Sequence, residues 1–353
     1  MRAAVFTGRG EPLEIREIEE PEPDATGVVV ETEVCGICRS DWHAWQGDPL
    51  WESREFEEGH VFGHEPAGVV VAVGDEVESV REGDRVTVPF NLGDGSCPSC
   101  RNGHSNLCDN RVPLGLSPES RGAFGERFHV PWADFNVVPL PEGVSSLEMA
   151  GMGCRFMTSF HALVHRADVT AGDWVSVHGC GGVGLSAVHI ADALGANVVA
   201  VDLFDEKLSF AADLGAVETV NAEAVDDVPG EVAAITDGGA DLSVDALGIA
   251  ETCRNSVRSL RNRGQHLQIG LTSRAEGGEV SLPTDLMVAK ELTFIGTIGM
   301  PRPRYGEIFR MIQHGKLDPG AVISETVSLE QTPETLESMT DFGTVGIPVI
   351  DEF

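Results

Sequence analysis

The chain has 353 residues, of which 42% are hydrophobic and 23% are charged. This length exceeds the size at which one hydrophobic core stops growing, about 250–300 residues, so we expect two domains. The 57 acidic and 24 basic residues give a net charge of −33, which excludes binding to nucleic-acid phosphates and disfavours anionic membrane surfaces. No apolar run is long enough to span a membrane, and the N-terminus lacks a secretory signal, so we expect a cytoplasmic protein.

The first 90 residues are predicted to form short strands separated by Pro and Gly turns. Apolar runs place these strands at 3–6, 13–18, 27–34, 68–73 and 85–88. Residues 91–120 have little periodicity and are predicted to be a loop that something other than a hydrophobic core must order. The N-terminal region is therefore predicted to be β-rich and barrel-like.

From about residue 168 the pattern changes to strands that alternate with helices. Strands are predicted at 174–178, 197–201, 242–244 and 266–269, and helices at 183–194, 206–214 and 251–260. A further helix is predicted at 305–314 and a final strand at 347–350. The alternation indicates a βαβ series around a parallel sheet, which makes the fold class α/β with a doubly wound domain.

A glycine-rich turn follows the first strand of this series. It consists of Gly179, Cys180, Gly181, Gly182, Val183 and Gly184. The first glycine permits a tight turn, the glycine at 181 lets the backbone approach a pyrophosphate, and the glycine at 184 packs the helix on the sheet. The amides of the helix N-terminus would then receive the phosphates. The alternative is a glycine turn in an unrelated α/β domain.

The next predicted strand leads to Asp202, which is placed to accept hydrogen bonds from the adenosine ribose of a dinucleotide. A carboxylate there repels a 2′-phosphate, and the following Leu203 and Phe204 offer no cation for it. We therefore expect NAD as the cofactor, with NADP as the alternative should an Arg from elsewhere accommodate the phosphate.

The cysteines indicate metal sites rather than disulfides, because the chain is large and contains Cys-x-x-Cys pairs. Cys38, His64 and Cys154 would supply two thiolates and an imidazole with a fourth position open, the ligand set of a catalytic zinc. These three ligands are scattered, so no single spacing requires this site. Taken alone, His64 could equally be a core histidine.

A compact second cluster consists of Cys97, Cys100 and Cys108, whose spacing in a loop suggests a structural zinc. A fourth ligand is needed, and Asp94 and His104 are the two candidates. The alternative is three free cysteines, which would carry an oxidation risk without a gain in packing.

Together these motifs resemble the zinc-dependent medium-chain alcohol dehydrogenases over nearly the whole chain. The family's order is catalytic Cys, Gly-His-Glu, four-ligand lobe, third catalytic ligand and glycine turn, and this chain has it, with Gly-His-Glu at 63–65. Cys-Arg-Ser-Asp at 38–41 and Gly68 also match. The resemblance implies a GroES-like catalytic domain at 1–154 with its zinc lobe at 91–112, a Rossmann coenzyme domain at 155–297, and a return to the catalytic domain at 298–353.

The resemblance also implies roles for residues around the catalytic zinc. Cys38, His64 and Cys154 would bind it, with Glu65 beside it as a transient fourth ligand. Ser40 would hydrogen-bond the alcohol and pass its proton through the cofactor ribose toward His43. Asp41 would orient a ligand imidazole.

Further roles concern the cofactor and the lobe. Arg39 would reach the pyrophosphate, Thr158 would pack near the nicotinamide, and Lys207 would assist Asp202 at the ribose. The lobe zinc would be held by Asp94, Cys97, Cys100 and Cys108.

Two departures from the family pattern stand out. Asp94 occupies a position where the family usually has Cys, and its harder oxygen should weaken zinc binding. Near the C-terminus the family often has Lys or Arg after a glycine, whereas here Gly346 is followed by Ile347. One phosphate contact is thereby lost.

The function implied by the resemblance is hydride transfer between an alcohol and an aldehyde or ketone, with a nicotinamide cofactor, in a homodimer or homotetramer. A polyol or sugar dehydrogenase is the alternative on the same scaffold, and a dinucleotide-sensing or structural protein is the non-enzymatic one. Trp42, Trp45, Trp51 and Phe90 are predicted to line the substrate pocket, which favours apolar or aromatic alcohols.

The acidic residues are spread from Glu11 to Glu352, and lysine occurs only at Lys207, Lys290 and Lys316. This distribution is typical of halophilic proteins, because concentrated cations screen the repulsion between carboxylates over a Debye length of ~3 Å at 1 M salt. The alternative is an ordinary acidic cytosolic protein.

We predict that the thermal unfolding midpoint rises when KCl is increased from millimolar to molar concentration, since screening relieves the self-repulsion of the folded chain. Differential scanning fluorimetry across a KCl series measures this. A midpoint that is flat or falls with salt would contradict the prediction.

Overall fold

The fold is described from a computed structural model of residues 1–48, 50 and 53–353. The chain divides into two compact units. The first comprises Met1–Cys154 together with Gly299–Phe353, and the second comprises Arg155–Ile298.

The N-terminal part of the first unit consists mainly of strands. These are β1 (Arg2–Val5), β2 (Glu14–Glu17), β3 (Val28–Gly36), β4 (Glu65–Val73), β5 (Arg85–Thr87), β6 (Asn91–Leu92), β7 (Val112–Pro113), β8 (Arg127–Val130) and β9 (Val138–Pro139). Its helices are α1 (Arg39–Gln46), α2 (Pro98–Arg101), α3 (Ala133–Asn136) and α4 (Ser146–Met152), and a short 3-10 turn lies at Ser105–Leu107.

The second unit alternates strands and helices. It follows α5 (Cys154–Phe160), which begins at the last residue of the first segment and continues into a π-helical turn at His161–Arg166. The strands are β10 (Trp174–His178), β11 (Asn197–Asp202), β12 (Ala216–Asn221), β13 (Ala240–Asp245), β14 (Leu260–Gln268) and β15 (Thr293–Gly296). The helices are α6 (Gly182–Ala193), α7 (Asp205–Asp213), α8 (Val228–Ile235), α9 (Ala250–Arg258) and α10 (Thr284–Ala289).

The C-terminal segment completes the first unit with α11 (Tyr305–Gln313), β16 (Ile323–Ser328), α12 (Thr332–Ser338) and β17 (Ile347–Glu352). Short 3-10 turns lie at Arg302–Arg304, Pro319–Val322, Leu329–Gln331 and Met339–Asp341. None of the helices in the described part of the chain is both long and apolar enough to cross a membrane.

The main sheet of the first unit has the order β16-β17-β3-β4-β5-β9, and β8 also pairs with β3. Its central strands β3 and β4 are antiparallel, and Gly36 at the end of β3 lies opposite Glu65 at the start of β4. This register brings the segment that follows β3 beside the segment that precedes β4. The two segments carry Cys38 and His64.

The sheet of the second unit is parallel throughout, with the order β12-β11-β10-β13-β14-β15. The chain therefore winds outward from β10 to one edge and then from β13 to the other. Such a reversal of strand order is where α/β sheets bind ligands, outside the carboxyl ends of the strands. The prediction of a β-rich domain combined with a doubly wound one is confirmed.

Residues 91–120 differ from the predicted loop, because β6, β7, α2 and a 3-10 turn lie within them. Several strands were also missed, and their burial explains why. Strand β15 exposes three of its four residues and β16 exposes three of its six, so no alternation of apolar and polar residues marks them.

Gly184 lies where α6 crosses the end of β10. A Cβ atom on this residue would lie 1.8 Å from the backbone oxygen of Gly179, whereas a Cβ at Gly181 would meet no atom within 4 Å. The close packing of the helix on the turn therefore requires glycine at 184 but not at 181.

We predict that Gly184→Ala lowers the free energy of unfolding by about 1–3 kcal/mol, because the backbone must shift to accommodate the methyl group. Gly181→Ala is the matched control and should leave the unfolding midpoint of the cofactor-free protein nearly unchanged. Thermal unfolding in molar KCl compares them. Equal midpoints for the two variants would show that the packing is looser than described.

Candidate active site and metal centres

Cys38 lies at the junction of a strand and a helix. Strand β3 ends at Gly36, and Cys38 is the N-cap residue of α1. Its Sγ accepts a hydrogen bond from the amide of Ser40 at 3.5 Å, and its own amide donates to Oδ2 of Asp41 at 3.0 Å. This reciprocal capping box fixes both the start of the helix and the position of the thiol.

The other oxygen of Asp41 orients His64. Oδ1 accepts hydrogen bonds from the amide of Gly63 at 3.0 Å and from Nδ1 of His64 at 2.8 Å. Asp41 is fully buried and His64 is 1% exposed. Because Nδ1 donates its proton to Asp41, Nε2 carries the lone pair.

Nε2 of His64 is buried and has no hydrogen-bond partner among the residues that the structure describes. Burial lowers the pKa of His64, but the Asp41 carboxylate and the Cys38 thiol raise it, and the result is well above 6.5. The raised pKa favours the imidazolium form, in which Nε2 also holds a proton. A metal ion at Nε2 would take the place of that proton, since an imidazole binds a metal as the neutral base.

The ligand atoms of Cys38, His64, Glu65 and Cys154 all lie within 4.8 Å of one another. Three of these residues are buried and Cys154 is half-buried. Two thiols and an imidazole are the ligands of catalytic zinc sites, and a carboxylate is a further acceptable ligand. The orphaned Nε2 and this donor set fit a zinc ion.

His43 lies buried in the last turn of α1. Its Nδ1 is 2.5 Å from Oδ2 of Asp48, which is also buried. Burial lowers the pKa of His43 more than the neighbouring Asp48 raises it, so the imidazole is neutral at pH 7. Ser40 lies half-buried in the first turn of the same helix. Asp48 was missed by the sequence analysis, although a carboxylate directly after the helix C-cap was visible in the sequence.

The guanidinium of Arg39 lies between two aromatic rings. Its Cζ is 4.3 Å from the centroid of Trp42 and 3.8 Å from that of Phe342, and it donates to the carbonyl oxygen of Met339. Burial lowers the pKa of Arg39 to about 10, which leaves it a cation at neutral pH. Arg39 is thus a half-buried charge in an aromatic setting.

The aromatic residues predicted to line a substrate pocket have different environments. Trp45 is wrong as a pocket wall, because it is 2% exposed, belongs to the hydrophobic core and donates its indole N–H to Glu11. Trp42 packs on Arg39, and Trp51 lies outside the described residues. Phe90 is half-buried with its ring centroid 5.8 Å from that of His64. Phe90 therefore lies beside His64 of this cluster.

The second cluster brings Asp94 together with Cys97, Cys100 and Cys108, with ligand atoms again within 4.8 Å of one another. Oδ1 of Asp94 lies 3.3 Å from Sγ of Cys108. His104 is exposed and is not a member of this group. Of the two candidates for the fourth position, the structure places Asp94 in the cluster.

Hydrogen bonds and burial shift the pKa values of the lobe's ligand residues in opposite directions. Hydrogen bonds from Ser96 and Asn110 hold the pKa of Asp94 well below its usual range. Backbone hydrogen bonds from Asp109 and Cys100 lower the pKa of Cys97 to about 7, whereas burial raises that of Cys100 to about 12. The lobe therefore offers an ionised oxygen donor from Asp94 and one thiol of lowered pKa from Cys97, which suit a cation.

In the second unit, Gly181 is the N-cap of α6 and the glycine-rich turn connects β10 to this helix. Asp202, at the end of β11, holds the turn. Its Oδ2 accepts from the amide of Cys180 at 2.6 Å, and its Oδ1 accepts from the amides of Leu203 and Phe204 at 2.8 and 3.1 Å. The predicted ribose ligand is thus also a structural acceptor.

Three further residues of the second unit have side chains of interest for cofactor binding. Thr158 is buried on α5, and Lys207 is buried with its Nζ 5.0 Å from the ring centroid of Phe204. Arg155 is 5% exposed, and a Cβ atom on Gly182 would lie 2.5 Å from its Cδ. The sequence analysis missed this buried Arg on the glycine turn, and nothing in the local sequence pattern marks it.

Comparison with known proteins agrees with the two-unit fold. Residues 24–142 match the alcohol dehydrogenase GroES-like domain, and residues 182–314 match the zinc-binding dehydrogenase domain. An alcohol dehydrogenase of Moraxella sp. is 33% identical over 350 residues, covering 93% of this chain and 100% of that protein. An NAD-dependent alcohol dehydrogenase of Sulfurisphaera tokodaii is 31% identical, covering 99% of each chain. The solved structure of an alcohol dehydrogenase from Thermus sp. ATN1 superposes with a TM-score of 0.89 at 29% identity, covering 99% of each chain.

We predict that Asp41→Asn weakens zinc binding at the Cys38 cluster by about 10–100-fold, because the residue that fixes the His64 tautomer is lost. Zinc retention against a chromophoric chelator measures this. Asp213→Asn, an exposed position on α7, is the matched control and should retain zinc as the unmodified protein does. Equal retention by the two variants would contradict the orienting role.

Proposed function

The chain belongs to the zinc-binding alcohol dehydrogenase family, and from this premise we propose that it transfers hydride between small alcohols and the matching aldehydes or ketones, with NAD as the cofactor. The observation that carries the proposal is the buried cluster of Cys38, His64, Glu65 and Cys154, with its imidazole nitrogen lacking a partner among the described residues.

We assign Cys38, His64 and Cys154 to a catalytic zinc, with Glu65 close enough to serve as an alternative ligand. Zinc bound there would polarise the substrate oxygen and lower the pKa of the alcohol. The chain itself contributes two thiolates, a tautomer fixed by Asp41 and a buried setting that excludes water. Phe90 adds an apolar surface beside the ligands, which favours apolar over polyol substrates.

The substrate proton requires a route to solvent. We assign Ser40 as its first acceptor and His43 as its last, with the cofactor ribose between them. Both residues lie on α1, which begins at the metal ligand Cys38. His43 suits this role because burial keeps its pKa low and its imidazole neutral, so it can accept a proton.

The NAD preference is supported by Asp202. Its carboxylate lies at the end of β11 beside the glycine turn, where a 2′-phosphate would be repelled. The glycine-rich turn, which includes Gly179, Gly181, Gly182, Val183 and Gly184, would receive the pyrophosphate. Thr158 would lie near the nicotinamide, and Lys207 would lie near the ribose. Arg39 remains a cation at neutral pH and would contribute a positive charge to pyrophosphate binding.

We further propose that Asp94, Cys97, Cys100 and Cys108 hold a structural zinc. Phe135 is the partly buried hydrophobic residue that packs against these cysteines, so the lobe has little apolar core of its own. A cation bound to its donors would supply the missing order.

A homo-oligomer is supported by one edge of the second unit. Strand β15 is at the end of its sheet, and Phe294 within it is 39% exposed. The preceding helix α10 buries none of its residues, and Val288 on it is 79% exposed. An edge strand with apolar neighbours is suited to pairing with a second copy. A reducing compartment, as in the cytoplasm, suits the five cysteines of the two candidate metal clusters, because their thiols must stay reduced to bind a metal.

We predict that the zinc-loaded protein in molar KCl reduces NAD in the presence of apolar alcohols, with higher kcat/KM for NAD than for NADP and for apolar alcohols than for polyols. Cys38→Ser should lower turnover by at least about 100-fold, because the thiolate ligand is lost. Cys35→Ser, at a buried thiol on β3 outside the cluster, is the matched control. Spectrophotometric NADH formation across a substrate and cofactor panel measures all of these.

Near-normal turnover by Cys38→Ser would overturn the catalytic zinc assignment. Dinucleotide binding without turnover of any alcohol would favour the dinucleotide-sensing alternative.

A further inference from the structure

His43 and Asp48 form a buried pair at the C-terminal end of α1. Gly47 is the C-cap of α1 with a left-handed φ of 71°, and the amide of Asp48 donates to the carbonyl oxygen of His43 at 3.0 Å. This reversal folds Asp48 back under the last helical turn. The two side chains meet at 2.5 Å with 7% and 4% exposure.

The chemistry of the pair follows from this geometry. A buried carboxylate is an acceptor, so Nδ1 of His43 carries the proton of the contact and Nε2 carries the lone pair. A proton arriving at Nε2 would create an imidazolium, and the carboxylate on the opposite nitrogen would stabilise it. The same division of labour between Asp and His operates in hydrolase triads.

The charged groups near His43 make this stabilisation necessary. The Arg39 cation disfavours an imidazolium, as does burial, whereas the Asp48 carboxylate and the Cys38 thiol favour it. A metal ion bound to Cys38 would offset the charge of that sulfur, and the Asp48 carboxylate, which contacts the ring, would still favour the imidazolium.

We propose that Asp48 is the positioning residue of the proton relay: it fixes the Nδ1–H tautomer of His43 and stabilises the imidazolium that forms when Nε2 accepts the substrate proton. The inference rests on the proposed function. In the oxidation direction, the alcohol loses a hydride to NAD and its hydroxyl proton to the relay. His43 then releases that proton to water, so that alcohol and NAD yield carbonyl, NADH and a proton.

A double-mutant cycle in the zinc-loaded enzyme tests the proposal. Single-turnover rates in molar KCl are compared for the unmodified protein, His43→Gln, Asp48→Asn and the double variant. We expect each single variant to lower the rate by at least about tenfold and the double variant to be no slower than His43→Gln, because Asp48 acts through His43. KM and the Kd for NADH should change less than about twofold.

The control is Asp351→Asn, which removes an exposed carboxylate of β17 and should leave the rate unchanged. Multiplicative losses in the double variant, or a loss that appears in KM and NADH binding, would show that Asp48 only stabilises the loop and would overturn the inference. If His43→Gln is slow and Asp48→Asn is normal, the inference fails while the relay survives. If His43→Gln is normal, the relay itself fails and the inference fails with it.

A second measurement does not depend on the folding of an Asp48 variant. In ¹⁵N-histidine NMR of the unmodified holoenzyme, with the His43 signals identified by their loss in His43→Gln, we expect the Nδ1–H tautomer. Detection of the Nε2–H tautomer would overturn the inference.

Discussion

The buried carboxylate of Asp41 is the interaction on which the active-site region depends. Burying a charge is costly unless hydrogen bonds satisfy it, and Asp41 accepts from the amides of Cys38 and Gly63 and from the imidazole of His64. These donors come from the start of α1 and from the segment before β4. One side chain therefore caps a helix and orients His64, so that forming the local structure also forms half of the proposed donor set.

The sheet supplies the other constraint. The antiparallel register of β3 and β4 sets Gly36 opposite Glu65, and the segments adjoining these positions contain Cys38 and His64. A slip of one residue would turn the side chains of one strand to the opposite face and separate these ligands. The long apolar runs of both strands, buried at most positions of β3, specify the register. The relative positions of the proposed metal ligands Cys38 and His64 thus follow from the strand pairing.

Local patterns in the sequence account for much of the fold and for part of the site. The glycine turn between a strand and a helix predicted the dinucleotide unit, because tight turns and close helix packing require glycine at fixed offsets. The compact cysteine spacing predicted the lobe for a similar reason. Cys38, His64 and Cys154 were grouped from their ligand chemistry, but only the family resemblance supported the grouping, since ligands so far apart leave no local signature.

The features that were missed depend on distances that the sequence does not carry. Asp48 reaches His43 only because Gly47 reverses the chain, and Arg155 reaches Gly182 only because α5 packs beside the turn. Trp45 was wrongly placed in a pocket, because periodicity cannot distinguish a core tryptophan from one facing a ligand. Strands with mostly exposed residues, such as β15, have no hydrophobic pattern that would predict them.

The single side chain of Asp202 links the proposed cofactor preference to the local loop structure. The carboxylate that we propose disfavours a 2′-phosphate also accepts from the amides of Cys180, Leu203 and Phe204. Engineering that replaced it with a small neutral residue to admit NADP would also leave three backbone donors without their acceptor. A successful redesign of coenzyme preference would have to furnish a new acceptor for the loop at the same time, so the two traits are best evolved as a pair rather than by a single exchange.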